Sequence, residues 1–279
     1  MRRESRFLRF LYNSFIGGLL LKVIYNPFFS KMVGLFLATR CSAVMIDGFI
    51  KKNNIKMNRF KRVKYTSFND FFVRELKDRE VNQDSGCFIS PCDGNLTIIK
   101  INPGSIFKVK NTEYTVKDLL GKEDSRFDGG WCLIFRIEAK DYHRYCYIDS
   151  GKKGENNIIK GKLHTVQEIA TDKYKVFHTN SREWTEMNTD NFGTIIQIEV
   201  GALIVGKISN NHGCHSFKRG EEKGHFEFGG STLILLVEEG RVKMKDEILK
   251  SSEDNIETPV FFGSVIGSKA SFETEKSEQ

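Results

Sequence analysis

The chain is predicted to be α+β, with N-terminal helices followed by a mainly antiparallel β body of sandwich or barrel-like form. Three observations carry that expectation. Charge is segregated: residues 1–66 hold fourteen Lys and Arg against two acids, Glu4 and Asp47, a net +12, so the remainder carries −5 of the overall +7. Beyond Ile89 the apolar residues fall in short β-rich runs separated by turn residues. Long amphipathic helices are not evident after about residue 80. A length of 279 residues suffices for one large domain with an appendage, and 39% hydrophobic residues with only four prolines exclude a disordered or repetitive chain.

The elements follow in chain order. Residues 7–39, FLRFLYNSFIGGLLLKVIYNPFFSKMVGLFLAT, are apolar and aromatic but interrupted by Arg9, Lys22 and Lys31, and the longest uncharged run, Phe10 to Leu21, has twelve residues. A spanning helix needs about 20. The pattern suits helices lying in a membrane interface with cations at anionic headgroups, or a helix pair packed on the body and broken at Asn26-Pro27. No nucleic-acid motif accompanies the basic residues, so no nucleic-acid partner is expected. Tyr65 to Lys77, with Phe68, Phe71, Phe72 and Leu76, reads as the last helical turn before the β body.

The body offers LTIIKI (96–101), WCLIFRI (131–137), YCYID (145–149), GTIIQIEVGALIVGKI (193–208) and STLILLV (231–237) as strands. The stretch HFEFGGSTLILLVEE, 225–239, reads as a strand on both sides of a Gly229-Gly230 break, although glycine in a strand interior costs entropy and packs nothing. Residues 268–279 are a flexible tail. Six cysteines (Cys41, Cys87, Cys92, Cys132, Cys146, Cys214) lack CxxC spacing and read as reduced thiols of a cytoplasm-facing protein.

Three constellations could carry chemistry. Ser90-Pro91-Cys92-Asp93-Gly94 precedes a strand, and its Asp-Gly alone would be a turn former. Lys140-Asp141-Tyr142-His143-Arg144 places a histidine at a strand edge, where it is either a satisfied structural group or a base. Ser231, after Gly-Gly, is either a bulge hydroxyl or a nucleophile, and a serine nucleophile needs a base oriented by an acid. Asp93, His143 and Ser231 supply those three parts. His212 and His215, in NNHGCHSF, have His-x-x-His spacing that fits a metal pair or ordinary loop histidines.

The order SPCDG, KDYHR, FGGST resembles phosphatidylserine decarboxylase, and so do FNDFFVREL (68–76), GKL (161–163), VGALIVGKI (200–208) and KRGEEKGHFEFGGST (218–232). The resemblance implies a self-cleaving proenzyme cut between Gly230 and Ser231 into chains 1–230 and 231–279, with Asp93 orienting His143 as general base. It implies a pyruvoyl cofactor made from Ser231, with no metal and no pyridoxal phosphate, that forms a Schiff base with phosphatidylserine and releases CO2 to give phosphatidylethanolamine. Residues 1–66 would then be a membrane-associating region on the cytoplasmic side of the cell membrane and 67–267 the catalytic domain, with a homodimer compatible.

Departures from the family pattern include Cys146 where many members carry a second histidine, Arg79-Glu80 where they carry Arg-Pro, and His225 where a tyrosine is frequent. Position 146 is therefore left out of the catalytic set. Two rivals stand beside this reading. One is a metallohydrolase using Asp93, His143, His212 and His215; the other is a non-catalytic membrane-binding protein with a degenerate site.

Overall fold

The computed structural model describes residues 6–24, 27–61, 64–109, 112–165, 170, 175–202, 207–228 and 231–270. Helices α1 (Arg6–Asn13), α2 (Phe15–Ile24), α3 (Pro27–Leu37) and α4 (Ile46–Asn53) build the basic arm. The arm packs on the body through Leu11, Tyr12 and Leu21, which share an apolar cluster with Val176 and Ala202. Its other face carries large apolar side chains in the open, with Phe15 and Val44 each 85% exposed. Among the described residues no single helix is long and apolar enough to cross a membrane; one pair, Lys31–Leu37 with Arg40–Asn53, meets that requirement jointly but is bent by 79°.

A five-residue helix, α5 (Phe68–Phe72), joins arm to body. Ser67 caps it by accepting from the Asp70 N–H at 3.1 Å, and Ser42 Oγ accepts from the Phe68 N–H at 2.9 Å. Those bonds hold Phe68, Phe71 and Phe72 inside. An isolated bridge between Phe60 and Leu76, flanked by bonds between Lys61 and Glu75 and between Lys77 and Arg59, fixes the chain around Arg59 against the segment after α5.

Among the described residues the body has seventeen strands: β1 (Cys87–Ile89), β2 (Gly94–Lys100), β3 (Ile106–Val109), β4 (Thr112–Thr115), β5 (Trp131–Ile137), β6 (Arg144–Cys146), β7 (Gly151–Lys153), β8 (Asn157–Ile159), β9 (Arg182–Thr189), β10 (Gly193–Val200), β11 (Ile208–Asn210), β12 (His215–Phe217), β13 (Glu222–Phe226), β14 (Ser231–Val237), β15 (Val242–Met244), β16 (Thr258–Val260) and β17 (Val265–Lys269). All the strand pairings are antiparallel. The nine-stranded sheet runs β12-β7-β9-β10-β14-β5-β2-β16, with β8 also on β9; smaller sheets are β1-β17-β15, β11-β13-β6 and the hairpin β3-β4.

The unbroken apolar runs of β5 (131–135) and β14 (233–237) have a direct cause. The large sheet is covered on both faces, so successive residues feed two different cores. Leu233, Leu235 and Val237 of β14 join one core with Phe72, Phe135 and Phe226; Ile234 and Leu236 join the other with Phe107, Tyr114 and Ile134. All seven residues of β14 are buried.

Three expectations change. Residues 193–208 are not one strand, because β10 ends at Val200 and the chain reappears as β11 in another sheet; residues 203–206 lie outside the described residues. The Gly-Gly break does not interrupt one strand: β13 belongs to the three-stranded sheet and β14 to the large one. Gly229 and Gly230 lie outside the described residues. The body also extends past residue 267, since β17 pairs with β1 as far as Ser268 and with β15 as far as Lys269.

One polar network crosses this interior. Lys223 and Glu199, both fully buried, pair at 2.8 Å, with Gln197 donating to Glu199 at 2.8 Å and Lys223 also donating to Asn210 at 2.8 Å.

Candidate active site

The three motif segments meet at one end of the large sheet. β2 and β14 flank β5, and both begin where β5 ends. Ser231 is paired with Ile137, the last residue of β5, while Asn95 is paired with Arg136, which brings Gly94 level with Ile137 from the other side. Gly94 lets the strands approach there: a Cβ would sit 3.2 Å from the Arg136 carbonyl oxygen. Asp93 and Ser231 are thus separated by two ladder steps, about 10 Å. His143 follows on the loop that leaves β5.

Asp93 is 2% exposed and its carboxylate is fully engaged. Oδ1 accepts from the Phe262 N–H at 2.9 Å, and Arg59 forks onto both oxygens, Nη1 to Oδ2 at 2.9 Å and Nη2 to Oδ1 at 3.2 Å. The Arg59 guanidinium also lies 4.9 Å from the Phe261 ring centre. The acid of the set is therefore held by the basic arm, through a residue that the motifs do not point to.

His143 is 1% exposed, with its ring centre 3.8 Å from that of Phe72. Its Nδ1 lies 2.9 Å from the Asp141 carbonyl oxygen, an atom that can only accept, so Nδ1 carries the proton and Nε2 keeps its lone pair. That is the tautomer of a base. Burial pushes its pKa well below 6.5, Arg74 adds to the depression, and the bond to Asp141 opposes both. Nε2 is buried and has no hydrogen-bond partner.

The carbonyl that orients His143 is itself pinned. Arg74, 2% exposed, donates through Nη2 to the carbonyl oxygens of Lys140 at 2.6 Å and Asp141 at 2.8 Å. Its guanidinium sits 4.4 Å from the Phe60 ring centre, and burial lowers its pKa to about 10. The Asp141 carboxyl, pushed up to about 6 chiefly by burial, accepts from the Glu138 N–H at 2.8 Å.

The approach to Ser231 runs over His143. The Phe226 N–H donates to the His143 carbonyl oxygen at 2.9 Å, and the Phe228 N–H to Asn69 Oδ1 at 3.2 Å. Phe228 packs edge-on against Phe68 and Phe72, both at 5.0 Å between ring centres. Ser231 is 1% exposed, and its Oγ, like Thr232 Oγ1, is buried without a partner. Unpartnered buried polar atoms each cost about 1–3 kcal/mol and concentrate where chemistry occurs.

The structure brings the segments of Asp93, His143 and Ser231 to one sheet end, yet among the described residues no hydrogen bond joins Asp93 to His143 or His143 to Ser231. Gly230 lies outside the described residues. Motif reading missed Arg59, Asn69, Phe72 and Arg74. Asn69 and Arg74 were visible only as letters of FNDFFVREL, Phe72 only as an apolar residue of the expected helical turn, and Arg59 only as one cation among fourteen. Cys146 is fully buried in the apolar core, its thiol pushed up to about 12 by burial. His225 lies on β13 opposite Arg144, half-buried, its pKa lowered first by burial and then by Arg144.

The four-ligand metallohydrolase set is not assembled: the metal-spaced cluster among the described residues is His212, His215 and Glu221, without Asp93 or His143. The family model for phosphatidylserine decarboxylase matches residues 68–268. "Phosphatidylserine decarboxylase proenzyme 2" of Clostridium acetobutylicum is 43% identical over 265 residues, covering 93% of this chain and 91% of the relative. The phosphatidylserine decarboxylase proenzymes of Clostridium beijerinckii and Clostridium kluyveri are 36% and 38% identical, each over 95% of this chain and 93% of the relative.

Proposed function

The chain belongs to the phosphatidylserine decarboxylase family, and from that premise we propose that it is a proenzyme that cuts its own Gly230-Ser231 bond and then decarboxylates phosphatidylserine to phosphatidylethanolamine. One observation carries this reading: the Asp141 carbonyl commits His143 Nδ1 as donor, leaving an unprotonated Nε2 buried in the layer that borders Ser231, whose Oγ is equally unpartnered.

His143 Nε2 accepts the Ser231 hydroxyl proton as Oγ attacks the Gly230 carbonyl carbon; the peptide C–N bond breaks, an ester forms, and the freed Ser231 nitrogen takes a proton. Loss of the Ser231 α proton expels the Gly230 carboxylate and leaves dehydroalanine at 231. Water then releases ammonia and leaves a pyruvoyl end on the chain 231–279. The start of β14 fits such a group, since it is fully buried and Ser231 Oγ there is without a partner. Held at the start of β14, the pyruvoyl group would supply a carbonyl for the substrate amine and an electron sink for loss of CO2. Asp93 stands at the same sheet end, its carboxylate fixed by Arg59 and the Phe262 N–H rather than bonded to His143. Arg74 keeps the Asp141 carbonyl aimed at Nδ1.

The proenzyme would sit peripherally on the cytoplasmic side of the cell membrane. The exposed Phe15, Ile16, Leu35 and Phe36, together with the +12 charge of residues 1–66, support docking on an anionic leaflet that also holds the substrate. Both catalytic strands come from one chain, so a homodimer is compatible with this site without being required by it.

Denaturing electrophoresis with mass spectrometry tests the proposal. Wild type should give a 49-residue fragment, 231–279, with a blocked pyruvoyl-type N-terminus, and Ser231→Ala a single uncut, inactive chain. An uncut wild type that still decarboxylates phosphatidylserine would overturn it.

A further inference from the structure

The connection from β11 to β13 carries side chains that the proposed reaction leaves unused. His212 and His215 stack with ring centres 3.9 Å apart and planes 11° apart. Glu221 Oε1 lies 2.8 Å from His215 Nε2 and 3.8 Å from His212 Nε2, and the three potential ligand atoms lie within 4.8 Å of one another. Bonds of roughly 2.0–2.1 Å to a tetrahedral zinc ion place neighbouring ligand atoms about 3.4 Å apart. The triangle already has nearly that size.

We propose that His212, His215 and Glu221 form a zinc-type metal site, with a water molecule as fourth ligand, that clamps the edge of the large sheet to the start of β13.

Each ligand is set by a different piece of structure. His215 lies in β12 and is paired with Lys153 of β7. Glu221 precedes β13, and its Oε2 accepts from the Lys218 N–H at 2.9 Å, which leaves Oε1 to the histidines. His212 Nδ1 lies 3.2 Å from the Tyr147 hydroxyl, and Tyr147 is itself stacked on Phe217 at 4.2 Å. With Nδ1–H donated to that oxygen, Nε2 is the ligating atom, the outer-shell arrangement usual for metal-bound histidine.

The donor chemistry favours zinc over calcium or magnesium, which prefer all-oxygen sites. The cluster offers two imidazoles and one carboxylate. The ammonium of Lys153 lies beneath it but points to the carbonyl oxygens of His212 and Gly213, at 2.9 and 2.6 Å.

Parallel rings cannot both hold a shared ion in plane, so binding tilts one of them. Their side chains are 27% and 31% exposed and have room to do so. The site is remote from the chemistry along the sheet: β12 lies four strands from β14, about 19 Å. Its effect would be mechanical, bracing the strand that leads toward Phe226 and Phe228.

The test uses the full chain, stripped with a chelator and titrated with zinc chloride and, separately, cobalt chloride. We expect one equivalent of zinc, the visible absorption of four-coordinate cobalt, and a raised thermal midpoint. His215→Ala and Glu221→Gln should each weaken zinc binding at least tenfold while staying folded in the absence of metal, and Cys214→Ser should bind as wild type does. Absence of saturable binding, binding unchanged in His215→Ala, or binding lost in Cys214→Ser would overturn the site. Self-cleavage of the same preparations reports separately on the proposed enzymatic reading.

Discussion

Acidification separates a buried base at position 143 from an ordinary histidine. An unperturbed imidazole titrates at 6.5, so at pH 5.5 about nine-tenths of it would be protonated, and cleavage needing the neutral form would slow about tenfold relative to pH 7.5. Burial and the Arg74 charge instead hold His143 well below that value. The cleavage rate should then stay within about twofold across pH 5.5–7.5.

Stability responds differently. The unfolded chain takes up a proton near 6.5 that folded His143 refuses, so its contribution is fully present above 6.5 and declines as the pH falls toward the folded value, by up to about 1.4 kcal/mol per unit. Asp141 opposes this: its folded pKa of about 6 lies above the ordinary 3.8, so the folded chain gains its proton first. His143→Gln isolates the histidine's share and should gain on wild type by about 1.4 kcal/mol for each unit below 6.5. Fresh precursor sampled on denaturing gels gives the rate, and parallel denaturant titrations give the stability. A tenfold loss of rate centred near pH 6.5 in protein that remains folded would refute the reasoning.

Other outcomes follow from burial alone. Lys223→Met leaves Glu199 charged and unpaired in the core and should cost about 3–5 kcal/mol in denaturant unfolding, part of which a second change, Glu199→Gln, restores. Cys146 should resist thiol reagents in the folded chain while the exposed Cys41 and Cys214 react, as mass spectrometry of labelled peptides would show. Replacing Phe15 and Ile16 by serine should weaken binding to phosphatidylglycerol vesicles about tenfold or more, and salt should weaken wild-type binding as well. A membrane affinity unaltered by both changes would point to another docking face.

What could be read from the letters divides along physical lines. WCLIFRI and STLILLV became β5 and β14 residue for residue, because a strand buried on both faces writes an unbroken apolar run. REWTEMNT was passed over as a strand: Glu183 and Glu186 interrupt the alternation and find partners only in space, Glu183 in Asn210 and Glu186 in Arg126. The Gly-Gly step looked like a break within one strand because sequence does not say which sheet each half joins. The order of Asp93, His143 and Ser231 was legible as motif. The contacts that hold Asp93 and orient His143 were not, since Arg59 reaches Asp93 across 34 positions and Arg74 reaches Asp141 across 67. Side chains brought together by folding leave no local signature.

The seven-residue ladder of β14 with β5, and its six pairs with β10, bear on when the cut can happen. Ser231 becomes buried only after strands from residues 94 to 237 have been stacked in register, so under the proposed self-cleavage a misfolded copy would have no means of activating itself. Scission would then act as a proofreading step, issuing the reactive end only from molecules whose interior is already correct. Because β13 and β14 belong to different sheets and β14 has neighbours on both sides, the two polypeptides so formed would separate in covalent terms alone and go on behaving as one body.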